Sequence, residues 1–91
     1  MLIGRCLKAA VMGPFFPDWE FPTLFGRTRD EIRTIADGWP GNATNPDTEI
    51  AIRNTFANLL GYPHRLEGEL ERIASTHIAQ VEEVWKRLQT R

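Results

Sequence analysis

An aromatic segment interrupted by prolines limits how this chain can fold more than any other feature of its sequence. The residues Phe15-Phe-Pro-Asp-Trp-Glu-Phe21, continued to Phe25, contain five of the nine aromatic side chains of the 91-residue chain. Prolines in and beside the segment disfavour a helix, and side chains of this size have to bury their apolar area. We expect the segment to cover the core as a plug; an exposed patch that contacts a partner is the alternative.

The segment before these aromatic residues has the spacing of an amphipathic helix. Its apolar stripe recurs at steps of three and four residues, at Ile3, Cys6, Leu7 and Ala10. Gly13 and Pro14 then supply a left-handed stop and a residue that cannot continue a helix. This pattern predicts a helix over Leu2–Met12, in which Cys6 is a small core residue rather than a nucleophile.

Two further helices are predicted after the aromatic segment from their end signals. Thr28 and Glu31 have the spacing of a capping box, which predicts a helix over 29–38. Residues 45–46 are an asparagine that can cap a helix and a proline suited to its first turn. They begin a third helix, which Gly61 ends.

The C-terminal segment, residues 67–89, has the pattern of one long amphipathic helix. Side chains at alternating steps of four and three share one face: Leu70, Ala74, His77, Val81, Val84 and Leu88. We expect this face to be buried in the chain's own bundle; a homodimer seam is the alternative. No segment alternates with period two, so the sequence predicts one all-α domain over residues 1–91. Its architecture would be a compact four-helix domain with an irregular aromatic loop between the first two helices.

Two asparagines of the third helix predict how the irregular loop is held. Asn54 and Asn58 lie one turn apart and share a face beside the apolar stripe. Amides are poor helix formers without partners, and the backbone of the loop, residues 14–26, has no ladder to satisfy it. We expect both amides to hydrogen-bond to this loop; a role in ligand binding is the alternative.

Composition and charge exclude several classes of function. Eleven lysine and arginine residues against twelve aspartate and glutamate residues give a net charge of −1, which does not favour binding to nucleic acid or to a membrane surface. No apolar run approaches the roughly 18 residues of a membrane span. The single cysteine, Cys6, cannot form an internal disulfide. We therefore expect a cytoplasmic protein without a membrane anchor.

The sequence also lacks the patterns of catalytic and metal sites. His64 lies in a turn, His77 falls on the last helix, and neither has the spacing of a zinc ligand. No glycine-rich phosphate loop or nucleophile elbow is present. We expect no metal, no cofactor and no enzymatic activity; a small enzyme that uses His64 with Asn54 is the alternative.

Five short motifs together resemble a family of small bacterial proteins. They are Gly13-Pro-Phe-Phe-Pro-Asp-Trp-Glu-Phe21, Thr23-Leu-Phe-Gly26, Arg29-Asp-Glu31, Trp39-Pro40 and Asn58-Leu-Leu-Gly-Tyr-Pro-His64. Some members resemble immunity proteins of contact-dependent growth inhibition and related polymorphic toxin systems. The resemblance implies a protein that binds and neutralises a cognate toxin domain and has no catalytic residues of its own. The nearly neutral charge departs from the acidic character of many inhibitors of basic nuclease toxins.

Acidic side chains beside Trp19 and at the start of the last helix are the candidates for contact with such a partner. The predicted contact residues are Asp18, Trp19, Glu20, Glu67, Glu69 and Glu71. A toxin domain with a basic surface, such as a nuclease, would complement these acids. The alternative function is a structural or regulatory module that self-associates through its C-terminal helix.

Overall fold

The computed structural model describes residues 2–62 and 64–90, and these residues form six helices and no strand. The helices are α1 (Leu2–Met12), α2 (Phe21–Phe25), α3 (Arg29–Gly38), α4 (Pro46–Gly61), α5 (Glu67–Ala74) and α6 (Ile78–Gln89). The prediction of an all-α fold is confirmed. The four-helix description is wrong, because the aromatic loop contains the short helix α2 and because the C-terminal segment is divided into α5 and α6.

Helices α3 and α4 begin where their capping residues predict. The Thr28 hydroxyl accepts a hydrogen bond from the Glu31 amide at 3.2 Å, and the Glu31 carboxylate accepts one from the Thr28 amide at 2.8 Å. At the start of α4, the Asn45 side chain accepts a hydrogen bond from the Asp47 amide at 2.9 Å. These bonds satisfy amides that the first turn of a helix leaves without partners, which fixes where each helix begins.

Helix α1 lies at the centre of the fold and packs against α3, α4 and α5. Four of its side chains are completely buried: Cys6, Leu7, Ala9 and Ala10. Short side chains let neighbouring elements approach closely; a Cβ added to Gly4 would meet the Trp39 indole at 3.0 Å. The domain measures 30 × 30 × 20 Å. None of the helices in the described part of the chain has the length and apolar character that crossing a membrane requires.

The predicted C-terminal helix breaks between Ala74 and Ile78. Ser75 follows α5 in the left-handed conformation, with φ 56° and ψ 40°, and the amides of Ser75 and Thr76 bond back to the last turn of α5. His77 is therefore the exposed residue before α6, rather than a member of a continuous apolar face.

Two long side chains explain why the helix ends there. In a continuous helix the Ile78 amide would donate to the Ala74 carbonyl, four residues earlier. Instead, Arg5 Nε of α1 donates to the Ala74 carbonyl at 2.6 Å, and the Ile78 amide donates to the Glu71 carboxylate at 2.7 Å. Both halves of the missing helical bond are thus satisfied by charged groups, which favours the break.

Candidate partner-binding surface

The aromatic loop, residues 14–26, places its four phenylalanines in the core. Phe15, Phe16, Phe21 and Phe25 are buried, and the rings of Phe21 and Phe25 stack at 4.2 Å between centroids. Phe16 meets the rings of Phe25 and Tyr62 edge to face, at 5.3 and 5.4 Å. Edge-to-face and stacked contacts add to the stabilisation that burial of the rings provides. The prediction of a plug over the core is confirmed for these four side chains.

Trp19 is the exception within the same loop, because it points into solvent. Its exposed fraction is 78%, against 4% or less for the four phenylalanines. The amides of Glu20 and Phe21 both donate to the Pro17 carbonyl at 3.1 Å, which closes a turn around Trp19. The loop therefore combines a buried ring cluster with one large aromatic side chain held outside it.

Arg29, the first residue of α3, ties the aromatic loop to the end of α1. Its guanidinium donates to the carbonyls of Val11 at 2.6 Å and Phe16 at 2.8 Å, and more weakly to that of Ala10 at 3.4 Å. It lies over the Phe21 ring, 4.4 Å from the centroid. A cation at the C-terminal end of α1 satisfies carbonyls that the helix itself leaves open.

Sequence analysis missed this role of Arg29. The groups that the side chain joins lie 13 to 19 positions earlier in the chain, so no local spacing indicates the contact. The feature that comes nearest to a signal is the Gly13-Pro14 stop of α1, which leaves carbonyls in need of a donor.

The loop is fastened on its other side by α4, as predicted. Asn54 Nδ2 donates to the Phe25 carbonyl and Asn58 Nδ2 to the Leu24 carbonyl, each at 3.1 Å. Asn58 Nδ2 also lies 2.8 Å from the Asn54 carbonyl. The expectation that the two amides hydrogen-bond the loop is confirmed, and both bonds go to the last turn of α2.

The two acids beside Trp19 are held in different ways. The Glu20 carboxylate accepts a hydrogen bond from the Tyr62 hydroxyl, and this bond raises the pKa of Tyr62. Asp18 pairs with Arg29 at 3.0 Å, but its side chain is 92% exposed. Glu20 thus anchors the loop to the end of α4, whereas Asp18 remains accessible next to Trp19.

The three predicted acids of α5 differ in their exposure and in their partners. Glu67 is exposed at the first position of the helix. Glu69 pairs with Arg72 at 2.6 Å, and this hydrogen bond lowers the pKa of Glu69. Glu71 uses its carboxylate to cap α6 through Ile78. No hydrogen bond or ion pair between described residues joins these acids to the group formed by residues 18–20.

His64 and Cys6, two further side chains that can be reactive, are hydrogen-bonded or buried within the fold. His64 accepts a hydrogen bond from the Leu66 amide at Nδ1, at 2.9 Å, while Nε2 lies 2.8 Å from the Leu59 carbonyl. This pattern requires the tautomer that carries its proton on Nε2. Burial raises the pKa of the Cys6 thiol to about 12. Over residues 2–62 and 64–90, no group of three His, Cys, Asp or Glu side chains could hold a metal ion.

The surface around Trp19 exposes two side chains on a loop that is held in place. It presents an exposed indole and an accessible carboxylate on a backbone that is fixed from three directions. The resemblance to immunity proteins stays a prediction. No protein-family model matches the chain, and no curated protein or solved structure does either.

Proposed function

We propose that this chain is an immunity-type protein that acts in the cytoplasm by binding and neutralising a cognate toxin domain. The observation that carries the proposal is the exposed Trp19 on a loop whose other large side chains are buried. Isolated tryptophans of this kind are common as the central residues of protein interfaces. The motif resemblance to immunity proteins supports the same conclusion.

The fastening of the loop favours tight binding through Trp19. Association loses free energy when loops and side chains have to be ordered at the interface. Here the backbone on both sides of Trp19 is already held, by Arg29 on one side and by Asn58 on the other. A partner that buries the indole would gain apolar contact area with little ordering of the loop.

The charge next to Trp19 indicates the chemistry of the partner. Asp18 is accessible beside the indole, and the exposed Glu67 is a candidate for a second contact. Asp18 also pairs with Arg29 but stays 92% exposed, whereas Glu20, Glu69 and Glu71 bond within the chain and are only partly exposed, so these three contribute mainly charge. A toxin domain with a basic surface, such as a nuclease, would be attracted by these acids and lose the attraction in salt.

The experiment that tests this function compares two single substitutions of similarly exposed apolar residues. The tagged protein is purified from its source cell at moderate salt, and bound proteins are identified by mass spectrometry. Trp19→Ala is compared with Met12→Ala, because Met12 is 79% exposed and lies at the end of α1. Met12 borders a groove of about 240 Å³ with Lys8 and Arg33, so its loss also tests a competing surface.

The expected result is a stoichiometric basic partner, the C-terminal part of a large exported protein, that is lost with Trp19→Ala and retained with Met12→Ala. Expression of that partner domain in a bacterial host should be toxic, and co-expression of this protein should restore growth. Growth that the unaltered protein does not restore would reject the immunity function. Recovery as a homodimer without any other bound protein would favour the self-associating module instead.

A further inference from the structure

The break between α5 and α6 can be compared with a competing state, one continuous helix over residues 67–89. In the present state, the Ala74 carbonyl and the Ile78 amide are bound by Arg5 and Glu71. In the competing state these two backbone groups bond to each other, and the helix runs through. A straight helix would thus replace the two bonds from charged side chains by helical hydrogen bonds within the backbone.

The three residues of the break, 75–77, are compatible with a continuous helix. This segment, called the hinge below, is Ser75-Thr76-His77 and contains neither glycine nor proline. Ser75 adopts the left-handed conformation, which is unfavourable for residues other than glycine. Straightening the hinge relieves that conformation and adds helical residues, and it gives up the bonds from Arg5 and Glu71.

The apolar residues of the two helices keep one register across the hinge. Leu70 and Ala74 of α5 are buried, as are Val81 and Leu88 of α6, and their spacings of four and seven residues match one helical face. In the folded chain α5 packs on α1, while α6 packs mainly on α4. A straight helix would therefore carry one continuous apolar face, and only its first part would remain on α1.

A straight helix that keeps α5 on α1 would move α6 from its present place on α4. Residues 67–89 would extend about 34 Å as one helix, which is longer than the 30 Å dimension of the domain. The Trp85 ring would leave the Phe56 ring of α4, on which it stacks at 6.5 Å. Two complementary apolar faces would then be uncovered, one on α4 and one on α6.

We propose that a second copy of this chain covers both faces by exchange of α6. Each copy would place its α6 on the partner's α4, so that the contact between the rings of Phe56 and Trp85 is remade between chains. The occupant is a second copy because the uncovered face of α4 already matches the α6 sequence of this chain. Short connections in an unfavourable conformation are known to promote such exchange. The proposal is independent of toxin binding.

Substitutions at the hinge can favour either the straight helix or the break, and the two kinds should shift the exchange in opposite directions. The double variant Glu71→Ala, Ser75→Ala removes the carboxylate that caps α6 and places a strong helix former in the hinge. Ser75→Gly accepts the left-handed conformation and favours the break. Glu67→Ala is the matched control, because it removes an exposed glutamate of the same helix that makes no contact with the hinge. Each variant is refolded separately from denaturant, under the same conditions, so that the exchange can reach equilibrium.

Measurements of molecular mass and of contacts between chains then test whether α6 is exchanged. Light scattering from micromolar to millimolar concentration should show dimers, with an association constant about tenfold or more higher for the double variant than for the unaltered protein. Ser75→Gly should be shifted toward monomer, and Glu67→Ala should be unchanged. In a mixture of isotope-labelled and unlabelled chains, isotope-filtered spectra of the dimer should show contacts between Phe56 of one chain and Trp85 of the other.

Two results would overturn the exchange. One is a monomer at every concentration in the unaltered protein and the double variant. The other is a dimer without contacts between Phe56 and Trp85 of different chains, which would be a side-by-side association. If the double variant does not fold, the same filtered spectra on the unaltered protein at millimolar concentration decide between these outcomes.

Discussion

The aromatic loop and the hinge are both non-repetitive connections, but they are held to very different degrees. The loop is bound by Arg29, by Asn54 and Asn58, and by the bond between Glu20 and Tyr62. It also carries four buried rings. The hinge is held by hydrogen bonds from Arg5, from Glu71 and within the end of α5, and none of its own three side chains is buried.

For these two connections we expect stability to follow the number of independent contacts rather than the regularity of the backbone. The loss of one contact of the loop leaves several others in place, and each buried ring adds apolar area. The hinge has no buried ring to add to its hydrogen bonds. The irregular loop is therefore suited to present Trp19 in a fixed position, whereas the hinge between two regular helices is suited to change.

The largest predicted effect is the removal of one buried ring from the loop. Phe21→Ala deletes a fully buried side chain that stacks on Phe25 and lies under Arg29, and it should lower the free energy of unfolding by about 3–5 kcal/mol. Urea unfolding measures this loss. Trp19→Ala in the same loop is the control and should change stability by about 0.5 kcal/mol or less. Equal losses for the two variants would contradict the division of the loop into buried and exposed rings.

The next effect concerns the link between the loop and α1. Arg29→Met keeps much of the apolar stem but leaves the Val11 and Phe16 carbonyls without their donor, so we expect a loss of about 2–4 kcal/mol. Arg33→Met is the matched control in α3. Arg33 makes an exposed pair with Asp30, and its substitution should cost about 1 kcal/mol or less. Thermal unfolding of both variants would separate them, and similar midpoints would show that the Arg29 bonds contribute little.

A smaller effect is expected from the contacts of α4 with the loop. Asn58→Ala removes the donor to the Leu24 carbonyl and should lower the free energy of unfolding by about 1–2 kcal/mol. Glu49→Ala, at an exposed position of the same helix, should have an effect of about 0.5 kcal/mol or less. Toxin binding that falls while stability is unchanged would instead indicate that Asn58 contacts the partner.

The sequence predicts the parts of this fold whose signals are local. The ends of α3 and α4 follow from Thr28 and Asn45, because each capping side chain bonds to an amide two or three residues away. The role of Asn58 was also predictable, because an amide within a helix needs a partner and the loop needed donors. Both inferences use neighbours in the chain or a shortage of hydrogen-bond partners that the sequence itself shows.

What sequence analysis missed depends on long-range bonds. The periodic pattern of residues 67–89 predicts one helix, and the break depends on Arg5, which lies 69 positions before Ala74. Arg29 was missed for the same reason, since its acceptors belong to α1 and to the loop. Of the six predicted contact residues, Trp19, Asp18 and Glu67 are exposed in the structure, whereas Glu20, Glu69 and Glu71 are partly exposed and bond within the chain.

The smallest predicted effects come from opposite substitutions in the two connections, glycine to alanine in the loop and serine to glycine in the hinge. Gly26 ends α2 with φ 69°, and Ser75 ends α5 with φ 56°, so a glycine holds the left-handed position in the loop and a serine holds it in the hinge. Gly26→Ala should lower the free energy of unfolding by about 1 kcal/mol. The cost comes from the backbone alone, since an added Cβ would meet no atom within 4 Å. Ser75→Gly should raise it by about 0.5–1 kcal/mol, because glycine adopts this conformation readily.

Urea unfolding of the two single variants and of the double variant measures both effects. The two changes should add, because the sites belong to separate connections with no shared contact. A Ser75→Gly variant that is no more stable than the unaltered protein would mean that the hinge is not in an unfavourable conformation. Exchange of α6 would then gain nothing from relief of the Ser75 conformation, while the fixed loop around Trp19 would be unaffected.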